Sequence, residues 1–212
     1  SAMAYDLEEQ EKIEELKAWW RRWGNFIIVT TTLALVVIAA LRGWDAYQQA
    51  QARKAGLAYN QVLAAVRAGE AQKVRELAAL VREDYPRTVY ASFAAFAAAK
   101  FYVERGDRAA AREALAWVAE NGRGELKAIA RVRLAQVLLD EQAYDEALKV
   151  LDGDHPKAFE AQFAAARGDI YAVQGKREEA RRAYQAALAA TPPGERTQRE
   201  LLQFKLDGLG EA

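Results

Sequence analysis

AAARGDIYAVQGKREEARRAYQAALAATPP, residues 164–193, decides how the rest of the chain is read. Gly168, Tyr171, Ala180, Tyr184, Ala187 and Pro192 stand in it at spacings that suit two antiparallel helices joined by a turn at Gly175. Gly168 and Ala180 are small, as a close helix crossing requires. Tyr171 and Tyr184 are large enough to fill the space between one helix pair and its neighbours. Pro192 cannot continue a helix and closes the second one. Working backwards, the same skeleton recurs: a turn residue, a small residue five on, a large one nine on. Gly175, Ala180 and Tyr184 are preceded by Gln142, Ala147 and Leu151, and those by Gly106, Ala111 and Leu115. A weaker set is Gly69, Val74 and Ala78.

The six residues are the small, aromatic and proline positions of a tetratricopeptide repeat. The turn residues lie about 37, 36 and 33 residues apart, against ~34 for that repeat class. From Trp44 onward the chain is rich in Ala, Leu, Glu, Arg and Gln, all strong helix formers, and shows no alternating β-branched stretch. The breaks predict helices of roughly ten to twenty residues. They form three recognisable pairs, plus a degenerate pair made by the segment before Gly69 and Glu70 to Tyr85. Arg199 to Leu209 closes the array with Leu202, Leu206 and Leu209, because the last repeat of a solenoid needs a cover.

Ahead of the repeats lies an uncharged run, FIIVTTTLALVVIAAL, from Phe26 to Leu41. Trp23 to Leu41 is about 19 residues, or ~28 Å of helix, close to a bilayer core of ~30 Å. Arg21, Arg22 and Trp23 stand at one end and Arg42 and Trp44 at the other, the residue types that headgroups select. A cleaved signal would have a shorter apolar core nearer the start, and a buried helix rarely stays uncharged this long. The architecture expected is therefore all-α: a single N-terminal transmembrane helix followed by an α-solenoid of tetratricopeptide-like helix pairs. Its segments are a short N-terminal tail at 1–22, the span at 23–43 and the repeat domain at 44–212. Ser1-Ala2 reads as a cloning remnant ahead of Met3. Lys12, Lys17, Arg21 and Arg22 precede the span, and Arg42, Arg53 and Lys54 follow it. This excess of one favours a cytoplasmic N-terminus with the repeats on the far side.

Composition excludes several functions. Thirty Lys and Arg balance thirty Asp and Glu, so no basic surface tracks a phosphate backbone and nucleic acid is not expected. The chain has no cysteine, hence no disulfide and no thiolate catalysis or metal site. His155, the only histidine, sits in a Gly-Asp-His-Pro turn without the companions a metal or a catalytic role needs. Glu8-Glu9, Glu14-Glu15 and Glu178-Glu179 are adjacent and so do not face one another on a helix. Neither a phosphate loop nor a metal, cofactor or catalytic set is read from the sequence, and the chain is not expected to be an enzyme.

Aromatic residues make the candidate protein-binding groove. Tyr90, Phe93 and Phe96 form one helical stripe, and Phe159 and Phe163 another. Packing between repeats would use the same residues, so exposure separates the two roles. The helix leaving the membrane either continues unbroken from the span and holds the repeats at a fixed height above the bilayer, or bends at Gly43, the one local weak point just past the span.

The tail DLEEQEKIEELKAWW, the stretch LKAIARVRLAQVLLDEQAYDEALKVLD and the C-terminal RELLQFKLDGL together resemble the YfgM-like family of ancillary SecYEG translocon subunits of Gram-negative bacteria. The resemblance covers essentially the whole chain. It implies a single-pass inner-membrane protein with a cytoplasmic N-terminus and a periplasmic repeat domain. The implied partners are the SecYEG translocon and a membrane-anchored periplasmic chaperone of the prolyl-isomerase type, whose network it assists without catalysis. The rival readings are a cytoplasmic-facing scaffold with the same architecture, an enzyme using groove carboxylates, and a self-associating structural protein.

Overall fold

The computed structural model describes residues 2–210. Among them every regular element is helical. The chain divides into two compact units, one ending at Gln51 and the other beginning at Ala52. Helix α1 runs from Ala2 to Ala68. The tail and the apolar run are thus one helix, and Gly43 lies inside it without a break. In the first unit the apolar side chains point outward all round. From Phe26 to Leu41 no residue is buried, and Leu33 and Val29 are as open as Leu16 of the tail. A helix apolar on every side with nothing packed on it is a membrane span in character, and α1 is the one described helix long and apolar enough to be a candidate for it. The Thr30 hydroxyl donates to the Phe26 carbonyl at 2.7 Å, which hides the polar atom of a residue that otherwise lowers the apolarity of the run.

The second unit is a stack of helix pairs. The end of α1 pairs with α2 (Ala71–Asp84), α3 (Val89–Glu104) with α4 (Arg108–Asn121), α5 (Glu125–Asp140) with α6 (Tyr144–Leu151), and α7 (Glu160–Val173) with α8 (Arg177–Ala190). Helix α9 (Arg196–Gly208) follows. Its Leu202 is buried, and Leu206 and Leu209 pack beside Tyr184 and Ala187 of α8.

All four pairs turn in the same way. Gly69, Gly106, Gln142 and Gly175 have φ of 70°, 77°, 62° and 76°. In each turn the next amide reaches back five residues: Glu70 to the Ala65 carbonyl at 3.1 Å, Asp107 to Tyr102 at 2.8 Å, Ala143 to Leu138 at 2.9 Å and Lys176 to Tyr171 at 2.9 Å. This Schellman ending satisfies carbonyls that the first helix leaves open. The second helix then begins at once, and Val74, Ala111, Ala147 and Ala180 each have 0% exposure. The first pair, degenerate in sequence, is regular in geometry. At Gly168 a Cβ would stand 2.6 Å from the Tyr184 ring, so the α7–α8 crossing is close because that residue carries no side chain.

Two lengths differ from expectation. Helix α1 has 67 residues because nothing between the span and Gly69 breaks it. Helix α6 has only eight. After Leu151 the chain becomes extended at Asp152 and left-handed at Gly153 (φ 86°). The Arg131 side chain holds this departure, donating to the carbonyls of Val150 at 2.9 Å and Asp154 at 2.8 Å and also to that of Asp152. Arg167 takes the Leu151 carbonyl at 2.8 Å.

Candidate protein-binding surface

Tyr59 of α1 and Tyr90 and Phe93 of α3 form a triangle of rings. Their centroids are 5.9 Å (Tyr59–Tyr90), 6.0 Å (Tyr59–Phe93) and 6.0 Å (Tyr90–Phe93) apart. Gly56 makes room for it, since a Cβ there would come within 3.3 Å of the Tyr90 ring. Phe93 is 36% exposed and Val89, a turn earlier on the same face of α3, is 43% exposed. Phe96 is partly covered by the Arg133 guanidinium, 4.8 Å from its ring centroid. Lys100, exposed one turn beyond Phe96, lies on the same side. The surface is therefore apolar and aromatic at its centre with cations at one edge. That arrangement suits an extended or helical protein segment, with rings for apolar side chains and cations for carboxylates.

The second aromatic stripe is core. Phe163 has no exposed surface and Phe159 has 8%. Phe163 stacks on the His155 ring, centroid to centroid 4.2 Å, and the Arg131 guanidinium lies 4.8 Å from it. These two residues are thus withdrawn from the expected groove, because the short α6 lets the 152–156 loop fold down over α7. His155, in that turn, also meets the Glu160 carboxylate. Beside the loop a hollow of about 430 Å³ is lined by Lys127, Arg131, Asp152 and Asp154 among others. Burial, the neighbouring Arg167 charge and the Asp152 charge act on Arg131; burial dominates and lowers its pKa. Its guanidinium is already committed to three carbonyls.

The remaining expected positions fall as follows. Leu115, Leu151, Tyr184 and Ala187 are buried, Tyr171 is partly buried and Pro192 is exposed at the end of α8. Arg21, Arg22, Trp23, Arg42 and Trp44 are all exposed on α1, with Trp23 edge-on to Phe26 at 6.0 Å and Trp44 beside Tyr47 at 5.8 Å. No cluster of three or more metal-ligating side chains occurs among the described residues. Tyr59 and Arg133 were not singled out as surface residues from the sequence. Tyr59 is 31 positions from Tyr90, and only the pairing of α1 with α3 brings them together.

Comparison with known proteins bears on this architecture. The family model for a tetratricopeptide repeat-like domain matches residues 17–211. The ancillary SecYEG translocon subunit of Neisseria gonorrhoeae is 35% identical, over 98% of this chain and all of that protein. The chain belongs to this family. The proteins of the same name from Haemophilus influenzae and Escherichia coli are 29% and 26% identical, over 98% and 95% of this chain and 100% and 96% of theirs. No solved structure matches it. Family membership covers both units of the chain, since the matched relatives align from the tail through α9.

Proposed function

We propose that this protein is a membrane-anchored tetratricopeptide scaffold that binds proteins at the periplasmic exit of the Sec translocon and assists a periplasmic chaperone network. In this reading α1 crosses the inner membrane once, with its N-terminus in the cytoplasm. Anchoring raises the effective concentration of the repeat domain for any partner in the same membrane. The partners are the SecYEG translocon, by the names of the relatives, and a membrane-anchored prolyl-isomerase-type chaperone, by the resemblance of the tail and repeats. The function is binding without chemistry.

The observation that carries the reading is an aromatic triangle in which Phe93 is exposed beside the half-buried Tyr59 and Tyr90, on a repeat fold that follows an apolar helix. Two measurements test it. Protease added to spheroplasts with intact inner membranes should remove a C-terminal tag. A tag cleaved only after lysis puts the repeats in the cytoplasm and leaves the cytoplasmic-facing scaffold in its place. Phe93→Ala should then lower co-purification with SecYEG several-fold while destabilising the repeats by less than ~2 kcal/mol, since the ring is only partly buried. Unchanged co-purification moves the binding surface elsewhere.

A further inference from the structure

A second surface lies at the far end of the repeats, on α9. Its inner side is fixed. Lys205 bonds both carboxylate oxygens of Asp169, at 2.9 and 3.1 Å. Arg199 donates to the carbonyls of Leu188 at 3.0 Å and Thr191 at 2.9 Å. Its outer side carries Leu201 and Phe204, 46% and 74% exposed. Phe204 is the most exposed large apolar residue described in the second unit. Thr197 and Gly208, also exposed, extend the pair to a stripe with the 4–3–4 spacing of a helix-pairing seam. A Cβ at Gly208 would meet nothing within 4 Å. The outer face of a solenoid cap is ordinarily polar, so a rigidly held cap with a bulky apolar seam is a binding feature.

Charge narrows the occupant. Glu200 and Asp207 flank the seam on one side, a Gln203 amide bonding Asp207 at 3.0 Å between them. Arg196 lies a turn further back, at the helix start. In an antiparallel pair with a second copy, the two acidic flanks would meet each other. In a parallel pair Glu200 would need Lys205 of the other copy, and Lys205 is committed to Asp169. We propose that the outward face of α9 docks one amphipathic helix of a partner protein, with Lys or Arg beside its apolar stripe and small residues opposite Phe204. The α7–α8 crossing shows the same packing within this chain, where Gly168 receives the Tyr184 ring. The proposal holds whichever side of the membrane the repeats occupy.

The test uses the full chain in nanodiscs of zwitterionic lipid, with empty discs as the baseline, and two fluorescent helical peptides. Both carry an Ala/Leu stripe; one is flanked by Lys and the other by Glu. The Lys-flanked peptide should bind the chain, and Phe204→Glu should weaken that binding at least about tenfold without changing the melting of the repeats. Glu200→Lys with Asp207→Lys should transfer the preference to the Glu-flanked peptide. Equal binding of both peptides, or binding that survives Phe204→Glu, overturns the proposal. So does a concentration-dependent dimer of the native chain that Phe204→Glu abolishes, which would make the seam a self-association surface.

Discussion

Gln142 does with a side chain what three glycines do without one. It is the non-glycine residue described at positive φ (62°), in the turn where Gly69, Gly106 and Gly175 serve the other pairs. A left-handed conformation costs an L-residue roughly 1–2 kcal/mol. Part of that is returned because glycine loses more freedom on folding. Gln142→Gly should therefore raise the stability of the repeats by up to about 1 kcal/mol, read as a higher urea midpoint at unchanged slope. Tyr184 gives a residue-level prediction of a different kind. Burial, a hydrogen bond to Asp169 at 2.6 Å and the Asp169 charge all push its ionisation well above that of a free phenol. The folded state thus holds this proton more tightly than the unfolded chain. Its contribution is fully present below about pH 10, where the unfolded phenol begins to ionise, and is lost as pH rises beyond that. Tyr184→Phe should make the alkaline decline of stability shallower. Buried Tyr102, raised mainly by desolvation, keeps part of that decline in place. An alkaline limb identical in the two proteins would show that neither burial nor Asp169 raises the ionisation of this phenol in the folded state.

At the scale of elements, the short α6 depends on a residue from another helix. Arg131 of α5 donates to three carbonyls at and just beyond the α6 end. Each is a hydrogen bond from a charged donor; that to Val150 is partly buried and those to Asp152 and Asp154 are exposed. Arg131→Ala should cost about 3 kcal/mol. It should also raise hydrogen exchange in α6 and the 152–156 loop before it affects α3 and α4. If exchange rises uniformly instead, the loop is held by Phe163 and His155 stacking and not by the guanidinium. The same loop explains why Phe159 and Phe163 are closed to a partner while Phe93, beside the half-buried Tyr90, is exposed. Both pairs stand at a spacing that shares one helix face, three residues and four, and the difference lies in what the neighbouring connection covers.

At the scale of the molecule, the first unit is a helix with no protein neighbour around its apolar run, and the second is a packed stack of pairs. The uncovered apolar surface of the first unit suits a lipid environment, and the proposed span is testable. Leu35→Arg, at the middle of the run, should add roughly 2.5–3.5 kcal/mol to insertion and shift the protein from the carbonate-resistant membrane fraction to the soluble one. Full retention would mean that the run is not the anchor.

The sequence alone determined the class of fold, because both of its signals are local. An uncharged run about as long as a bilayer core is thick is legible without any contact, and so is a skeleton of turn, small and large residues repeating near the ~34-residue period. Even the degenerate first pair was locatable from Gly69, since the turn geometry needs a residue tolerant of positive φ. The binding surfaces were not legible in this way. Whether Phe93 or Phe163 faces solvent depends on which loop lies over it, and whether Leu201 and Phe204 are covered depends on which face of α9 meets α8. Those outcomes come from contacts between residues far apart in the chain. A periodic pattern records that a helix has an apolar face, and only tertiary packing decides which apolar residues remain outside it.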